Sequence, residues 1–222
     1  MTFLDRADAG RFLAEQLGRF ANQRGVIVLA LPRGGVPVGY EVARALHAPL
    51  EVFVVRKLGL PGQKELAMGA IASGGTRVLN PEVVAMLGAD ASETIECATA
   101  KEMEQLQLAE RQYRAGRDFP DLRDKTIILV DDGLATGATM RAATRAVRQL
   151  QPEKVIVAVP VAAESSCREL RSEADEVICG FTPPAFFGVG QFYDNFRQTT
   201  DEEVRELLVR AAENTRERSP NE

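Results

Sequence analysis

The stretch "TIILVDDGLATGATMRAATRAV", Thr126 to Val147, decides the fold of this chain. It runs without a break from an apolar segment, through two adjacent carboxylates and a turn of small residues, into a helix-like pattern. An apolar run rich in Ile and Val, without polar alternation, predicts a strand covered on both faces. A buried strand delivered into a helix by a short turn is the repeating unit of an open α/β sheet, whose carboxyl edge is where ligands bind.

The same rhythm recurs on either side. "GVIVLALP" (25 to 32), "LEVFVVR" (50 to 56), "KVIVAVP" (154 to 160) and the weaker "DEVIC" (175 to 179) read as further strands. Helix signals fall at Val36 to Leu46, Ala138 to Leu150 and Glu164 to Arg171. This alternation predicts right-handed crossovers and an open, mostly parallel twisted sheet with helices on both faces, in one domain over residues 1–222. Two segments depart from it. Residues 81–118 are charged and helix-favouring, with Ile95, Ala98, Leu106, Ala109 and Tyr113 as a narrow apolar stripe; they read as a helical insertion or as an ordinary long crossover. Residues 181–222 form a C-terminal piece. Its first part, "FTPPAFFGVGQFYDNF", is an aromatic loop, and a helix follows with Thr200 and Glu203 at capping-box spacing.

Bulk properties narrow the function. With 222 residues and 45% hydrophobic content the chain can fill a core. A net charge of −5 argues against a broad basic face for nucleic acid or anionic membrane, so an anionic ligand must be held in a local pocket. Cys97, Cys167 and Cys179 are odd in number and widely spaced, which signals neither a disulfide framework nor a zinc site and suggests ordinary thiols. No leader-like or membrane-length apolar run occurs, and a cytoplasmic protein is expected.

The acids and the turn after them divide the chemistry. Gly133, Ala135, Gly137 and Ala138 leave the backbone accessible, Thr136 and Thr139 offer hydroxyls, and the helix that follows aims its free N–H groups into the turn. That suits a phosphate monoester. Asp131 and Asp132 would repel phosphate, so they must serve hydroxyl donors or a hard cation such as Mg²⁺ beside it. The stretch therefore reads as a grip for ribose 5-phosphate. A P-loop is excluded because its lysine-bearing pattern is absent. A receiver domain would need a phospho-accepting Asp at a later strand end, and Asp175 precedes its strand.

At this level of detail "IILVDDGLATGATM" resembles the phosphoribosyl pyrophosphate signature of type I phosphoribosyltransferases. The resemblance implies that Asp131 and Asp132 bind the ribose 2- and 3-hydroxyls, with Mg²⁺ held directly or through hydroxyls or water, and that Ala135, Thr136, Gly137, Ala138 and Thr139 wrap the 5-phosphate. "LPRGG" resembles the family's pyrophosphate loop, which implies that Arg33, Gly34 and Gly35 face pyrophosphate. "VVRKLGLPGQKELAMG" resembles the stretch before the mobile loop of adenine phosphoribosyltransferases, which implies pyrophosphate-facing Arg56 and Lys57 and a lid bearing Gly59, Pro61, Gly62 and Lys64.

The implied reaction moves the 5-phosphoribosyl group from Mg-phosphoribosyl pyrophosphate to a small-molecule nitrogen acceptor. Signatures for 6-oxopurines carry an acid where this chain has Ala135, so hypoxanthine and guanine are disfavoured, and the likeness is to predicted bacterial members of unassigned acceptor. Phe186, Phe187, Phe192 and Tyr193 are either a base-recognising hood or core packing. His47, at a helix end, reads as a dipole partner. A non-catalytic sensor of phosphoribosyl pyrophosphate or a nucleotide would keep the same site and stays open, as does assembly into a homo-oligomer.

Overall fold

The computed structural model describes residues 1–60, 63–88 and 91–216, with backbone alone for 63–65 and 216. Five strands, β1 (Val26–Ala30), β2 (Leu50–Val52), β6 (Thr126–Val130), β7 (Lys154–Val161) and β8 (Glu176–Phe181), form one sheet in the order β2-β1-β6-β7-β8. Every pairing in it is parallel. Alternate residues explain the continuous apolar runs: Val28, Ala30, Ile128 and Ile156 face one core, and Leu29, Ile127, Leu129 and Val157 face the other. Helices α1 (Arg6–Gln16), α2 (Gly35–Leu46), α4 (Ala91–Arg114) and α7 (Asp201–Arg216) contribute to the first core, and α5 (Ala138–Gln149) and α6 (Glu164–Leu170) cover the second. The expected open parallel α/β sheet is present.

"LEVFVVR" is not one strand. Its first half is β2, and its second half begins β3 (Val55–Leu60), which pairs antiparallel with β4 (Gln63–Ala72). With β5 (Thr76–Leu79) these make a separate three-stranded sheet. Much of the stretch read as a lid loop is therefore ladder; Pro61, Gly62 and the Lys64 side chain lie outside the described residues. A short helix, α3 (Pro81–Ala85), precedes α4 and is capped by Asn80, which accepts from the Glu82 N–H at 3.2 Å.

Helix α4 stops at Arg114 rather than Arg117, because Ala115 and Gly116 both take positive φ. Its last turn is anchored from within: buried Arg114 pairs with Glu110 at 2.8 Å and Glu51 at 3.6 Å, and donates to Ser73 Oγ at 3.0 Å. Helix α7 starts at the expected box, with Thr200 N–H donating to Glu203 at 2.9 Å and Glu203 N–H to Thr200 Oγ1 at 3.1 Å. His47 caps α2 in the left-handed conformation (φ 58°), which terminates the helix by backbone geometry. The reading of three ordinary thiols is corrected: Cys167 on α6 and Cys179 on β8 form a disulfide, and Cys97 is free and exposed. Their residues are 12 apart in sequence and belong to neighbouring elements, a proximity that cysteine spacing alone does not disclose. Among the described residues no helix is long and apolar enough to cross a membrane.

Candidate functional site

Strand β1 has β2 on one side and β6 on the other, so the strand order reverses between β1 and β6 and a crevice opens at their carboxyl ends. Asp131 and Asp132 follow β6 directly into that crevice. The chain then leaves the sheet sideways: Leu134 N–H donates to Val161 O at 3.0 Å, and Ala163 N–H to Leu134 O at 2.9 Å. This detour presents residues 135–139 as a turn. Ala135, Thr136, Ala138 and Thr139 are exposed, and Gly137, at φ 72°, is the residue from which α5 starts. The first N–H groups of α5 have no partner within the helix and open onto the turn. Ser166 on α6 holds the turn from behind by donating to Ala135 O at 2.5 Å.

The turn after β1 meets the acids across the crevice. A Cβ on Gly34 would run into the Asp132 carboxylate, and one on Gly35 would stand 2.8 Å from Val130 O and 2.9 Å from Asp131 Cα. Both glycines are therefore demanded by close approach. Arg33, joined to Pro32 by a cis peptide, reaches toward Asp201 at 3.9 Å, and Asp201 accepts from the Tyr113 hydroxyl at 2.6 Å. Burial, and then its hydrogen bond to Asp201, pushes the Tyr113 hydroxyl above the ordinary tyrosine range.

Asp131 accepts from the Asp132 N–H at 2.9 Å. Burial first, and the neighbouring Asp132 charge second, raise the Asp131 carboxyl well above the usual carboxylate range. Burial raises Asp132 as well, against the opposing charge and hydrogen bond of Arg6. Two largely enclosed carboxylates, of which only Asp132 is paired with a cation, form a site short of positive charge or hydroxyl donors.

The structure brings Gly34, Gly35, Asp131 and Asp132 together, with the 135–139 turn contiguous to them, while the Arg33 guanidinium turns toward Asp201. It separates Arg56 and Lys57, because successive strand residues face opposite ways. Arg56 binds Glu102 on α4 at 2.8 Å, whereas Lys57 lines a groove with Ala138, Arg141 and Arg145 beside the start of α5. Of the aromatic segment, Phe192 and Tyr193 are buried against Phe3, while Phe187 is 92% exposed near Val189, whose side chain packs on Gly133. Sequence reasoning missed Arg6, whose Nε donates to Asp132 Oδ2 at 2.7 Å across 126 residues of chain; no local motif could reveal it.

Fold and crevice place the chain among open parallel α/β proteins with a site at a strand-order reversal. Within that class it belongs to the phosphoribosyl transferase domain family, whose model matches residues 3–196. Two Mycobacterium tuberculosis proteins, from strains CDC 1551 and H37Rv, each named "Putative phosphoribosyl transferase", are 48% identical over 209 residues, which is 94% of this chain. The chain spans about half, 47%, of the length of those relatives. The crystal structure of TT1426 from Thermus thermophilus superposes with a TM-score of 0.84 at 40% identity, covering 95% of this chain and 99% of that one.

Proposed function

We propose that this protein transfers the 5-phosphoribosyl group from Mg-phosphoribosyl pyrophosphate to a small nitrogen acceptor and releases pyrophosphate. The observation that carries this reading is the meeting of a buried acid pair with two small-residue turns in one crevice, beside the open N-terminus of α5. Each part matches one part of the donor. Residues 135–139 take the 5-phosphate on backbone N–H groups and Thr hydroxyls, Asp131 and Asp132 accept from the ribose diol, and Arg33 with the Gly34–Gly35 turn faces pyrophosphate.

In the displacement the acceptor nitrogen forms a bond to the anomeric carbon, the bond to the pyrophosphate oxygen breaks with its electron pair, and the acceptor loses a proton. The protein's contribution is orientation and charge. Asp131 and Asp132 fix the sugar and temper the positive charge that develops on it, while Arg33 offsets charge on the leaving group. Arg56 joins Arg33 once it leaves Glu102, and Lys57 serves the phosphate side, where its groove meets Ala138. Magnesium would be held by Asp131 and Asp132, directly or through ribose hydroxyls or water, together with donor oxygens. When bound it supplies Lewis-acid neutralisation of the pyrophosphate. Exposed Phe187 favours a planar acceptor that stacks.

The test is to mix the protein with Mg-phosphoribosyl pyrophosphate and pools of nucleobases and to follow pyrophosphate. Release that depends on one pool supports transfer and narrows the acceptor. Donor binding without release from any pool supports a sensing role instead.

A further inference from the structure

Arg6 sits at the start of α1, far from every motif, yet its side chain is only 11% exposed and is fixed on three sides. Nε donates to Asp132 Oδ2 at 2.7 Å, NH1 donates to the Arg197 carbonyl at 2.7 Å, and the guanidinium lies 4.1 Å from the centre of the Phe196 ring. The strands of chain that carry these groups are tied to each other. Phe3 N–H donates to Phe192 O, Asp194 N–H to Phe3 O and Asn195 N–H to Leu4 O, at 2.8 to 3.0 Å. Residues 3–6 and 192–197 thus form one collar against Asp132, and Tyr193 closes it by donating its hydroxyl to the Asp132 carbonyl at 2.5 Å.

The collar leaves Asp132 little freedom. Its N–H is committed to Asp131 Oδ1, its carbonyl to Tyr193 and its Oδ2 to Arg6. Among the described residues, Oδ1 of Asp132 and Oδ2 of Asp131 have no hydrogen-bond partner. The acid pair therefore keeps one uncommitted oxygen on each of two consecutive residues, with Asp132 fixed from behind by Arg6 and Tyr193. That arrangement accepts from two neighbouring hydroxyls at once and is wasted on a sugar with one.

We propose that Arg6 is a positioning residue that sets the selectivity of the site for a vicinal diol, by fixing the rotamer of Asp132 from behind. This rests on the reading of the crevice as a ribose-phosphate site. A guanidinium suits the task better than an ammonium, because its plane can stack on Phe196 while its edge serves two acceptors.

The experiment measures affinities for ribose 5-phosphate, 2-deoxyribose 5-phosphate and 3-deoxyribose 5-phosphate by calorimetry, in wild type, Arg6→Met, Arg6→Lys and Phe196→Leu. Wild type is expected to prefer the diol by about ten-fold or more over at least one deoxy sugar. Arg6→Met loses most of that preference by weakening ribose 5-phosphate alone, and Arg6→Lys recovers part of it. Phe196→Leu, which alters a partly exposed ring and leaves Asp132 untouched, lowers the preference on its own and carries the test should the Arg6 variants fail to fold. An unchanged preference in the folded variants, or equal weakening of all three sugars, overturns the role given to Arg6. Absence of any binding by wild type would instead overturn the ribose-phosphate reading.

Discussion

The acid pair shows how a single residue can weaken the fold and serve the site. For Asp131, burial and the Asp132 charge hold the carboxyl above its ordinary range, so the folded protein binds a proton more tightly than the unfolded chain. Its contribution to stability therefore falls as pH rises from the ordinary carboxylate range through the raised value. Asp131→Asn is predicted to raise the melting temperature by a few degrees, about 2–4 °C per kcal/mol recovered in a chain of this size, while abolishing donor binding. A melt and a binding titration on one preparation check both halves. The glycines make a steric prediction. Gly35→Ala puts a methyl group against the Val130 carbonyl and Asp131 and should cost about 1–3 kcal/mol along with donor affinity. Unchanged affinity would show that the turn is not held against the acids. Asp131, Asp132, Gly34 and Gly35 were legible in sequence because each lies in a contiguous motif. Arg6 was not, because its partner is made a neighbour only by the packing of α1 and the 192–197 collar.

At the level of elements, two helices reach the crevice from opposite sides and should be separable. Ser166 on α6 holds the phosphate turn, and Tyr113 on α4 holds Asp201 beside Arg33. Ser166→Ala is expected to weaken ribose 5-phosphate by roughly 2- to 13-fold, the worth of one hydrogen bond, and to leave inorganic pyrophosphate unaffected. Tyr113→Phe should do the reverse. Calorimetry with the two ligands distinguishes them, and equal effects on both would mean that the helices act only through global stability. The strands of the parallel sheet could be read because both faces are buried, which leaves unbroken Val and Ile runs. Helix α1 escaped because its inward face is built of Ala9, Gly10 and Ala14 around a single large residue, Leu13, too little to mark an amphipathic stripe, with Gly10 closely apposed to α2. The ladder of β3 and β4 escaped for a similar reason, since "LAMGAIA" has one β-branched residue, Ile71, and no aromatic residue to favour a strand.

Across the whole molecule, the sheet supplies position, and residues 3–6 and 192–197, packed together, flank Asp132. Parallel order followed from alternation of strand and helix, whereas pairing of Cys167 with Cys179 depends on where α6 settles against β8. That bridge closes a short loop, so reduction is predicted to cost about 2–4 kcal/mol and to lower the melting temperature measurably, in a melt with and without dithiothreitol. The central claim, that the β1–β6 crevice holds a phosphoribosyl donor, is tested most directly by titrating Mg-phosphoribosyl pyrophosphate into wild type and Asp132→Asn side by side. Saturable binding by wild type, weakened by about ten-fold or more in a folded Asp132→Asn, is the predicted result. Equal binding by both proteins, or none by wild type, would contradict it.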